Sequence, residues 1–305
     1  MKIRLATLVL LTAPWAIQAH EYATEAERVA ALDVDSVEVR TEAVGDGLYV
    51  LFGLGGNVIA SVGDQGVLLV DSQYAPMVPL LKDAVEDLGG GDIDFTINTH
   101  WHYDHVGGNP LLGREGTWFV SHRNSRRMLA GEHVIDTVTA PPLVQAAYPD
   151  ISMPVITYRD EMQFHFNGDT LDLLHYGPAH TTGDTAVIFR NANVVHMGDV
   201  FNANYPFIDA ANGGSIDGVI LFCEKVLANL NENSRIVPGH GEVLGFDDMV
   251  AYIAMLETIR NRISDMIDRG MSLEEVIAAR PTAEFDERYG DPVRLIDRAY
   301  YSLSR

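Results

Sequence analysis

The chain has 305 residues, of which 47% are hydrophobic, and one large α/β domain with a sizeable core fits this length and composition. Its 43 Asp and Glu residues outnumber its 21 Lys and Arg residues, so the formal net charge is −22. A surface this acidic repels phosphate backbones, which disfavours nucleic acid as a partner.

The first nineteen residues have the pattern of a secretory signal peptide. Residues 1–4 are basic, residues 5–17 are almost wholly apolar, and Ala19 offers a cleavage site. The alternative is an uncleaved membrane anchor, although no other apolar run in the sequence reaches spanning length. We therefore predict a periplasmic or secreted protein that is not stably inserted in a membrane after cleavage.

The remainder is predicted to consist of an N-terminal segment, 20–44, with a short helix, and a main folded domain, 45–305. Short apolar runs bounded by glycine turns predict strands, and longer amphipathic stretches predict helices. The predicted strands are 48–52, 57–62, 67–70, 95–98, 119–120, 170–175, 186–189, 194–197 and 235–237. The predicted helices are 77–88, 123–130, 216–230, 247–268, 272–280 and a terminal helix within 284–303.

The two halves of this pattern follow the same order. Each half has a hairpin, a strand that ends in Asp, a helix and a strand that ends in His, so that Asp71 and His100 correspond to Asp199 and His240. We predict an α/β fold in which two mixed sheets face each other with helices outside, an αβ/βα sandwich. Ligands collect at the carboxyl ends of strands, where the connecting loops meet.

Two further segments have alternative interpretations. Residues 131–163 contain several prolines and no regular pattern, which favours a lid or substrate wall over a passive surface loop. The only cysteine, Cys223, lies in the predicted helix 216–230. A buried core thiol is the preferred interpretation and a zinc thiolate the alternative, and no internal disulfide can form.

The most informative string is residues 98–109, Asn-Thr-His-Trp-His-Tyr-Asp-His-Val-Gly-Gly-Asn. It places His100, His102, Asp104 and His105 within six positions, and imidazole and carboxylate are ligands that zinc prefers. In an extended segment, alternate side chains share a face, so the first three are predicted to point the same way. A turn before His105 would direct its ring toward a second metal.

This string resembles the His-x-His-x-Asp-His signature of the metallo-β-lactamase superfamily. The five motifs of that family match, in order, Asp71, the histidine cluster, His180, Asp199 and His240. The resemblance implies two Zn²⁺ ions per chain, bound by His100, His102, Asp104, His105, His180, Asp199 and His240. In that assignment, one ion has three histidine ligands, the other is bound by Asp104, His105 and His240, and Asp199 bridges them. Asp71 is implied to lie behind the site and fix its geometry.

The resemblance also implies a chemistry. A metal-bound hydroxide would hydrolyse a small-molecule cyclic amide or ester, either β-lactam-like or a lactone, and Asp104 would orient or relay the proton to the leaving group. The best-known zinc β-lactamases have Cys in place of Asp199, so the bridging Asp looks more like glyoxalase II and the lactonases. The alternatives are a thioester hydrolase of the glyoxalase II type, an iron-dependent oxygenase on the same fold, and a metal-binding protein without catalysis.

Overall fold

A computed structural model describes residues 23–305, and the predicted signal peptide lies outside these residues. The described chain forms sixteen strands and ten α-helices. The strands are β1 (Ala23–Thr24), β2 (Arg40–Gly45), β3 (Leu48–Phe52), β4 (Val58–Gly63), β5 (Gly66–Val70), β6 (Ile93–Asn98), β7 (Trp118–His122), β8 (His133–Ile135), β9 (Leu143–Gln145), β10 (Ile156–Tyr158), β11 (Glu161–Phe166), β12 (Asp169–Leu174), β13 (Ala186–Phe189), β14 (Val194–His196), β15 (Arg235–Val237) and β16 (Leu244–Gly245). The helices are α1 (Glu25–Ala30), α2 (Val78–Asp87), α3 (Tyr103–Val106), α4 (Asn109–Glu115), α5 (Arg123–Leu129), α6 (Ile216–Leu227), α7 (Phe246–Asp268), α8 (Leu273–Ala279), α9 (Asp286–Tyr289) and α10 (Val293–Leu303).

Two mixed sheets contain most of the strands. The first has seven strands in the order β10-β7-β6-β5-β4-β3-β2, and the second has six in the order β11-β12-β13-β14-β15-β16. Within the first sheet, β5, β6, β7 and β10 are parallel neighbours, and within the second only β14 and β15 are. A small third sheet, β1-β9-β8, joins the N-terminal segment to the hairpin of β8 and β9.

The inner strands of both sheets, such as β5 and β13, are buried on two faces, which explains their continuous apolar sequences. In β5, Leu68 and Val70 pack into the core between the two sheets, whereas Val67 and Leu69 pack against α2 on the other side. The second sheet is covered on its outer face by α6, α7 and α10 in the same manner. The layer order is therefore helix, sheet, sheet, helix, and the predicted αβ/βα sandwich is confirmed.

The candidate site lies where strands of both sheets end. Asp71 directly follows β5, and the histidine cluster follows β6. In the second sheet, Asp199 follows β14 and His240 follows β15. The pseudo-repeat seen in the sequence thus places corresponding Asp and His residues at one edge of the sandwich.

The structure differs from the sequence predictions in several places. The first sheet begins with β2 at Arg40, five residues before the predicted domain start at 45. The segment 131–163 is not irregular, because it contains β8, β9, β10 and the start of β11. The terminal helix is divided into α9 and α10 by Gly290, which has a φ of +92°, and by Pro292. The strands β8, β9 and β10 have three residues each, too few to show an alternating pattern, so the local sequence does not reveal them.

Two smaller findings concern burial and membranes. Cys223 is fully buried in the core between α6 and the second sheet, and its Sγ contacts the carbonyl oxygen of Val200 at 3.6 Å. The preferred interpretation of this cysteine as a core thiol is confirmed. Among residues 23–305, no helix combines the length and the apolar character needed to cross a bilayer.

Candidate metal centre

The loop after β6 turns sharply into a short helix. The carbonyl oxygen of His102 accepts hydrogen bonds from the backbone N–H groups of His105 and Val106, at 3.0 and 3.1 Å. Asp104 and His105 therefore lie on the helical turn α3, and the prediction that Asp104 continues the extended face of His100 and His102 is wrong. The turn instead groups Asp104 with His105.

Three imidazoles form the first group of candidate ligands. One ring nitrogen from each of His100, His102 and His180 lies within 4.8 Å of the others, and all three residues are buried. The closest pair is His180 Nε2 and His102 Nδ1, at 2.9 Å. Burial, together with the neighbouring imidazoles, holds the pKa of His100 well below its ordinary value, and burial next to His102 lowers that of His180. These two histidines are therefore neutral, which is the form that binds a metal.

Hydrogen bonds on the far side of two of these rings fix their tautomers. His180 Nδ1 donates to the carbonyl oxygen of Phe207 at 2.7 Å, and His102 Nε2 donates to Asp209 Oδ2 at 3.0 Å. When both rings are neutral, the facing atoms, His180 Nε2 and His102 Nδ1, each carry a lone pair and no proton. Two lone pairs at 2.9 Å repel each other unless a cation lies between them, so this group fits a metal ion.

The second group combines carboxylates with imidazoles. One ligand atom each from Asp104, His105, Asp199 and His240 lies within 4.8 Å of the others. His105 Nε2 is 3.1 Å from Asp199 Oδ1, and His240 Nε2 is 3.3 Å from Asp104 Oδ2 and 3.4 Å from Asp199 Oδ1. His105 Nε2 and Asp199 Oδ1 are buried without a hydrogen bond of good geometry, as is His100 Nε2 in the first group. Buried polar atoms without partners are rare, and here they converge on two points.

The carboxylates control protonation in the second group. Burial disfavours the charged form of His240, but Asp199 and Asp104 outweigh it and raise its pKa to about 10. Burial likewise opposes protonation of His105, and the carboxylates of Asp199, Asp104 and Asp71 raise its pKa well above the ordinary value. Burial works against ionisation of Asp104, but His105 and His240 hold its pKa at about 2. Protons on these imidazoles thus supply the positive charge that a bound metal ion would otherwise provide.

Asp199 lies between the two groups. Its Oδ1 faces His105 and His240, whereas its Oδ2 is 3.8 Å from Nε2 of His180 in the first group. Burial opposes its ionisation, but the His240 and His105 imidazoles hold its pKa well below the ordinary value. An ionised carboxylate with one oxygen on each side can join two cations.

Asp71 supports one histidine of each group. Its Oδ2 accepts hydrogen bonds from His105 Nδ1 and from the Thr99 hydroxyl, both at 2.7 Å, and its Oδ1 accepts from the Thr99 backbone N–H at 2.8 Å. The Thr99 Oγ1 lies 3.0 Å from His100 Nδ1 and can accept from it. Asp71 is fully buried, and its carboxylate is engaged by Thr99 and His105, so it supports the candidate ligands from behind and belongs to neither group.

Two glycines allow the backbone to approach these side chains closely. A Cβ atom at Gly56 would lie 2.1 Å from Cε1 of His105, and one at Gly239 would lie 1.9 Å from Oδ1 of Asp199. Any other residue would displace a candidate ligand. These two positions are therefore restricted to glycine by the site and not by backbone conformation.

Sequence reasoning missed two supporting residues. Asp209, which positions His102, precedes a short 3₁₀ turn, and Asn202 accepts a hydrogen bond from the backbone N–H of His240 at 2.9 Å. Both residues lie outside the five motifs. Their roles depend on how distant loops meet, so no local signal in the sequence identifies them.

A cavity of about 490 Å³ opens onto the second group. Its floor includes His102, Asp104, Asp199 and His240, and the β8–β9 hairpin supplies residues along one wall, among them Ile135, Thr137 and Thr139. The predicted wall at 131–163 therefore borders the cavity through this hairpin.

Replacing Asp209 by asparagine is expected to weaken metal binding by about 10- to 100-fold, because outer partners that orient a ligand histidine contribute to that extent. The measurement is competition for zinc with a chromogenic chelator. Asp87→Asn, at an exposed position at the end of α2, is the control and should bind zinc like the unmodified chain. Equal affinities for the two variants would show that the bond to His102 has no role in metal binding.

Comparisons with known proteins agree with this geometry. The family model described as the metallo-beta-lactamase superfamily matches residues 51–240. A probable metallo-hydrolase of Methanocaldococcus jannaschii is 24% identical over 197 residues, which cover 63% of this chain and 90% of that protein. Among solved structures, a metallo-β-lactamase from Pontibacter korlensis has a TM-score of 0.57 at 15% identity, covering 72% of this chain and 99% of its own. The DIM-1 metallo-β-lactamase has a TM-score of 0.58 at 16% identity, covering 73% and 98%.

Proposed function

We propose, since this chain belongs to the metallo-β-lactamase superfamily, that it holds two zinc ions and hydrolyses a cyclic amide or ester. Membership makes the chain a metal-dependent hydrolase. The number and identity of the metals and the substrate ring are the proposed part. We further propose that the chain is exported to the periplasm or secreted, which N-terminal sequencing of the mature protein would test.

The observation that carries the dinuclear assignment is the arrangement of Asp199 between two sets of donor atoms. The three-histidine set and the carboxylate-rich set each converge on a separate point, and buried atoms without hydrogen-bond partners face both points. Imidazole and carboxylate are borderline and hard ligands, a mixture that suits zinc and not a site for Mg²⁺ or Ca²⁺. All seven residues suggested by the sequence belong to these two sets.

Bound zinc would acidify a water molecule to a pKa of about 7 and polarise the scissile carbonyl group. The protein residues supply orientation and proton transfer. Asp104 is ionised at neutral pH and lies on the helical turn α3 at the cavity, with its Oδ2 3.3 Å from His240 Nε2, whereas the other ionised carboxylate, Asp199, lies between the two sets. We assign to Asp104 the proton that passes to the leaving group.

Metal analysis and substrate assays separate this proposal from two alternatives. A thioester hydrolase of the glyoxalase II type would use the same metal centre on a different substrate, and an iron-dependent oxygenase would hold one iron. Elemental analysis of the purified protein, followed by assays with nitrocefin, lactones and thioesters, distinguishes them. One equivalent of metal with iron dominant would overturn the dinuclear zinc assignment.

Replacing His240 by alanine is expected to reduce the zinc content from two equivalents to about one after dialysis, because the three-histidine set stays intact. Inductively coupled plasma spectrometry on the dialysed protein measures this. His165→Ala, which removes an exposed histidine on β11, should retain two equivalents. Loss of both equivalents from His240→Ala would mean that the two sets bind metal as one unit.

A further inference from the structure

Two arginines from opposite ends of the chain face the same cavity. Arg28 lies on α1 and Arg294 on α10, and both line the cavity together with Asp104, Asp199 and His240. The cavity thus combines the candidate metal centre with two guanidinium groups that the metal does not need.

Neither guanidinium is paired with a carboxylate group among residues 23–305. Arg28 Nη2 donates to the carbonyl oxygen of Pro141 at 3.1 Å, and the Arg294 guanidinium lies over the Phe207 ring at 4.8 Å. Arg298, one helical turn after Arg294, contacts both Asp136 and Asp297.

The surroundings of Arg294 make its charge available to a ligand. The Arg294 side chain is exposed, and the carboxylates of Asp199 and Asp104 lie close enough to favour its charged form. A cation with no fixed carboxylate partner is free to pair with an anion that arrives with the substrate.

The Phe207 ring is a neighbour of both this charge and the candidate metal centre. Its centroid lies 5.9 Å from that of His180 and 6.2 Å from that of His102, and the Arg294 guanidinium lies 4.8 Å from the same centroid. A ligand that contacts the first group of histidines beside Phe207 is therefore also near the Arg294 guanidinium.

Arg28 is held in place by the N-terminal segment. Ala23 pairs with Leu143 of the hairpin, and the Tyr148 hydroxyl donates to Glu25 at 2.8 Å. The first turn of α1 is closed by reciprocal hydrogen bonds between Thr24 and Glu27. The segment before the catalytic domain is thus anchored against the cavity wall and presents Arg28 to it.

We propose that Arg28 and Arg294 bind a carboxylate group of the substrate, so that the enzyme selects anionic over neutral substrates. This inference rests on the proposed hydrolase function and names the substrate class for it. Guanidinium groups suit this role because their planar donors match the two oxygens of a carboxylate.

The test compares two lactones that differ in charge only, 5-oxotetrahydrofuran-2-carboxylate and the corresponding carboxamide. The zinc-loaded protein is expected to prefer the acid by about tenfold or more in kcat/KM, because one charge-assisted hydrogen bond strengthens binding by about that factor. Arg28→Gln and Arg294→Gln should each reduce this preference about tenfold, mainly through KM, with a much smaller loss on the carboxamide. Arg294→Lys should retain part of the preference for the acid, because it keeps the positive charge.

The control variant is Arg269→Gln, which removes an exposed arginine at the end of α7 and should leave the preference unchanged. A second measurement does not need turnover. Calorimetric titration with 2-hydroxyglutarate, the ring-opened acid, should show a dissociation constant about tenfold higher in either glutamine variant, and a smaller change for 5-amino-4-hydroxy-5-oxopentanoate, which has one carboxylate in place of two.

The outcomes separate the two proposals. Turnover of both lactones with an unchanged preference in the glutamine variants would overturn the arginine assignment and leave the hydrolase function standing. Absence of turnover together with arginine-dependent binding of 2-hydroxyglutarate would support the arginine site and count against hydrolysis of lactones. Equal losses on acid and carboxamide would assign the arginines to the fold and overturn the proposal.

Discussion

His102→Ala is expected to lower kcat/KM by at least about 10³-fold on every substrate the enzyme accepts, which corresponds to about 4 kcal/mol of transition-state stabilisation. The His102 ring contributes one of the two closest facing nitrogens in the first group, 2.9 Å from His180 Nε2, and is fixed by Asp209 on its other side. Its loss removes one of the three histidine ligands of the first group, and hydrolysis of every substrate depends on the metal bound there.

The measurement is kcat/KM on nitrocefin, a lactone and a thioester, with zinc content determined in parallel. The comparison variant is Thr139→Trp, which narrows the cavity at an exposed position of its hairpin wall. It should affect large substrates more than small ones, because a wall acts through differential binding. Near-normal turnover by zinc-depleted His102→Ala would refute a metal-dependent mechanism for this site.

Tyr148, in the segment predicted as a lid or substrate wall, would be a poorer comparison variant. Its hydroxyl donates a hydrogen bond to Glu25, and its ring packs against core residues that include Trp101. A substitution there would loosen the N-terminal segment and would not report on substrate selection. Thr139 faces the cavity and supports no buried contact.

Short sequence motifs predicted much of the site. The cluster at 100–105 is dense enough to indicate metal chemistry, and the strands before Asp71, Asp199 and His240 have continuous apolar sequences that predict buried strands. Since such strands end at one edge of a sheet, their following residues were expected to meet, and the structure brings all seven candidate ligands into two adjacent groups.

What could not be predicted depends on tertiary contacts. Asp209 acquires its role because the loop before α6 passes behind His102, and Arg28 because β1 pairs with β9. Neither residue stands in a distinctive string. The helical turn that carries Asp104 is also too short for periodicity, since four residues contain little more than one turn.

Asp71→Asn is expected to reduce the free energy of unfolding of the metal-free chain by about 2–4 kcal/mol, although the side chain keeps its size. Asparagine tolerates a positive φ, so the backbone conformation at +67° is retained. The change replaces one of two accepting oxygens by a donor. In either orientation of the amide, a donor from Thr99 or His105 then faces another donor, and each buried group left without a partner costs about 1–3 kcal/mol.

The same substitution should weaken zinc binding by about tenfold or more at both sites, because Asp71 orients His105 directly and His100 through the Thr99 hydroxyl. Urea unfolding and zinc competition measure the two effects. Asp94→Asn is the matched control: the Asp94 carboxylate accepts one hydrogen bond, from the Val67 backbone N–H at 2.9 Å, and its residue is exposed. Its replacement should cost less than about 1 kcal/mol and leave zinc affinity unchanged. If both variants unfold at the same urea concentration, the buried carboxylate does not hold the two groups of ligands together.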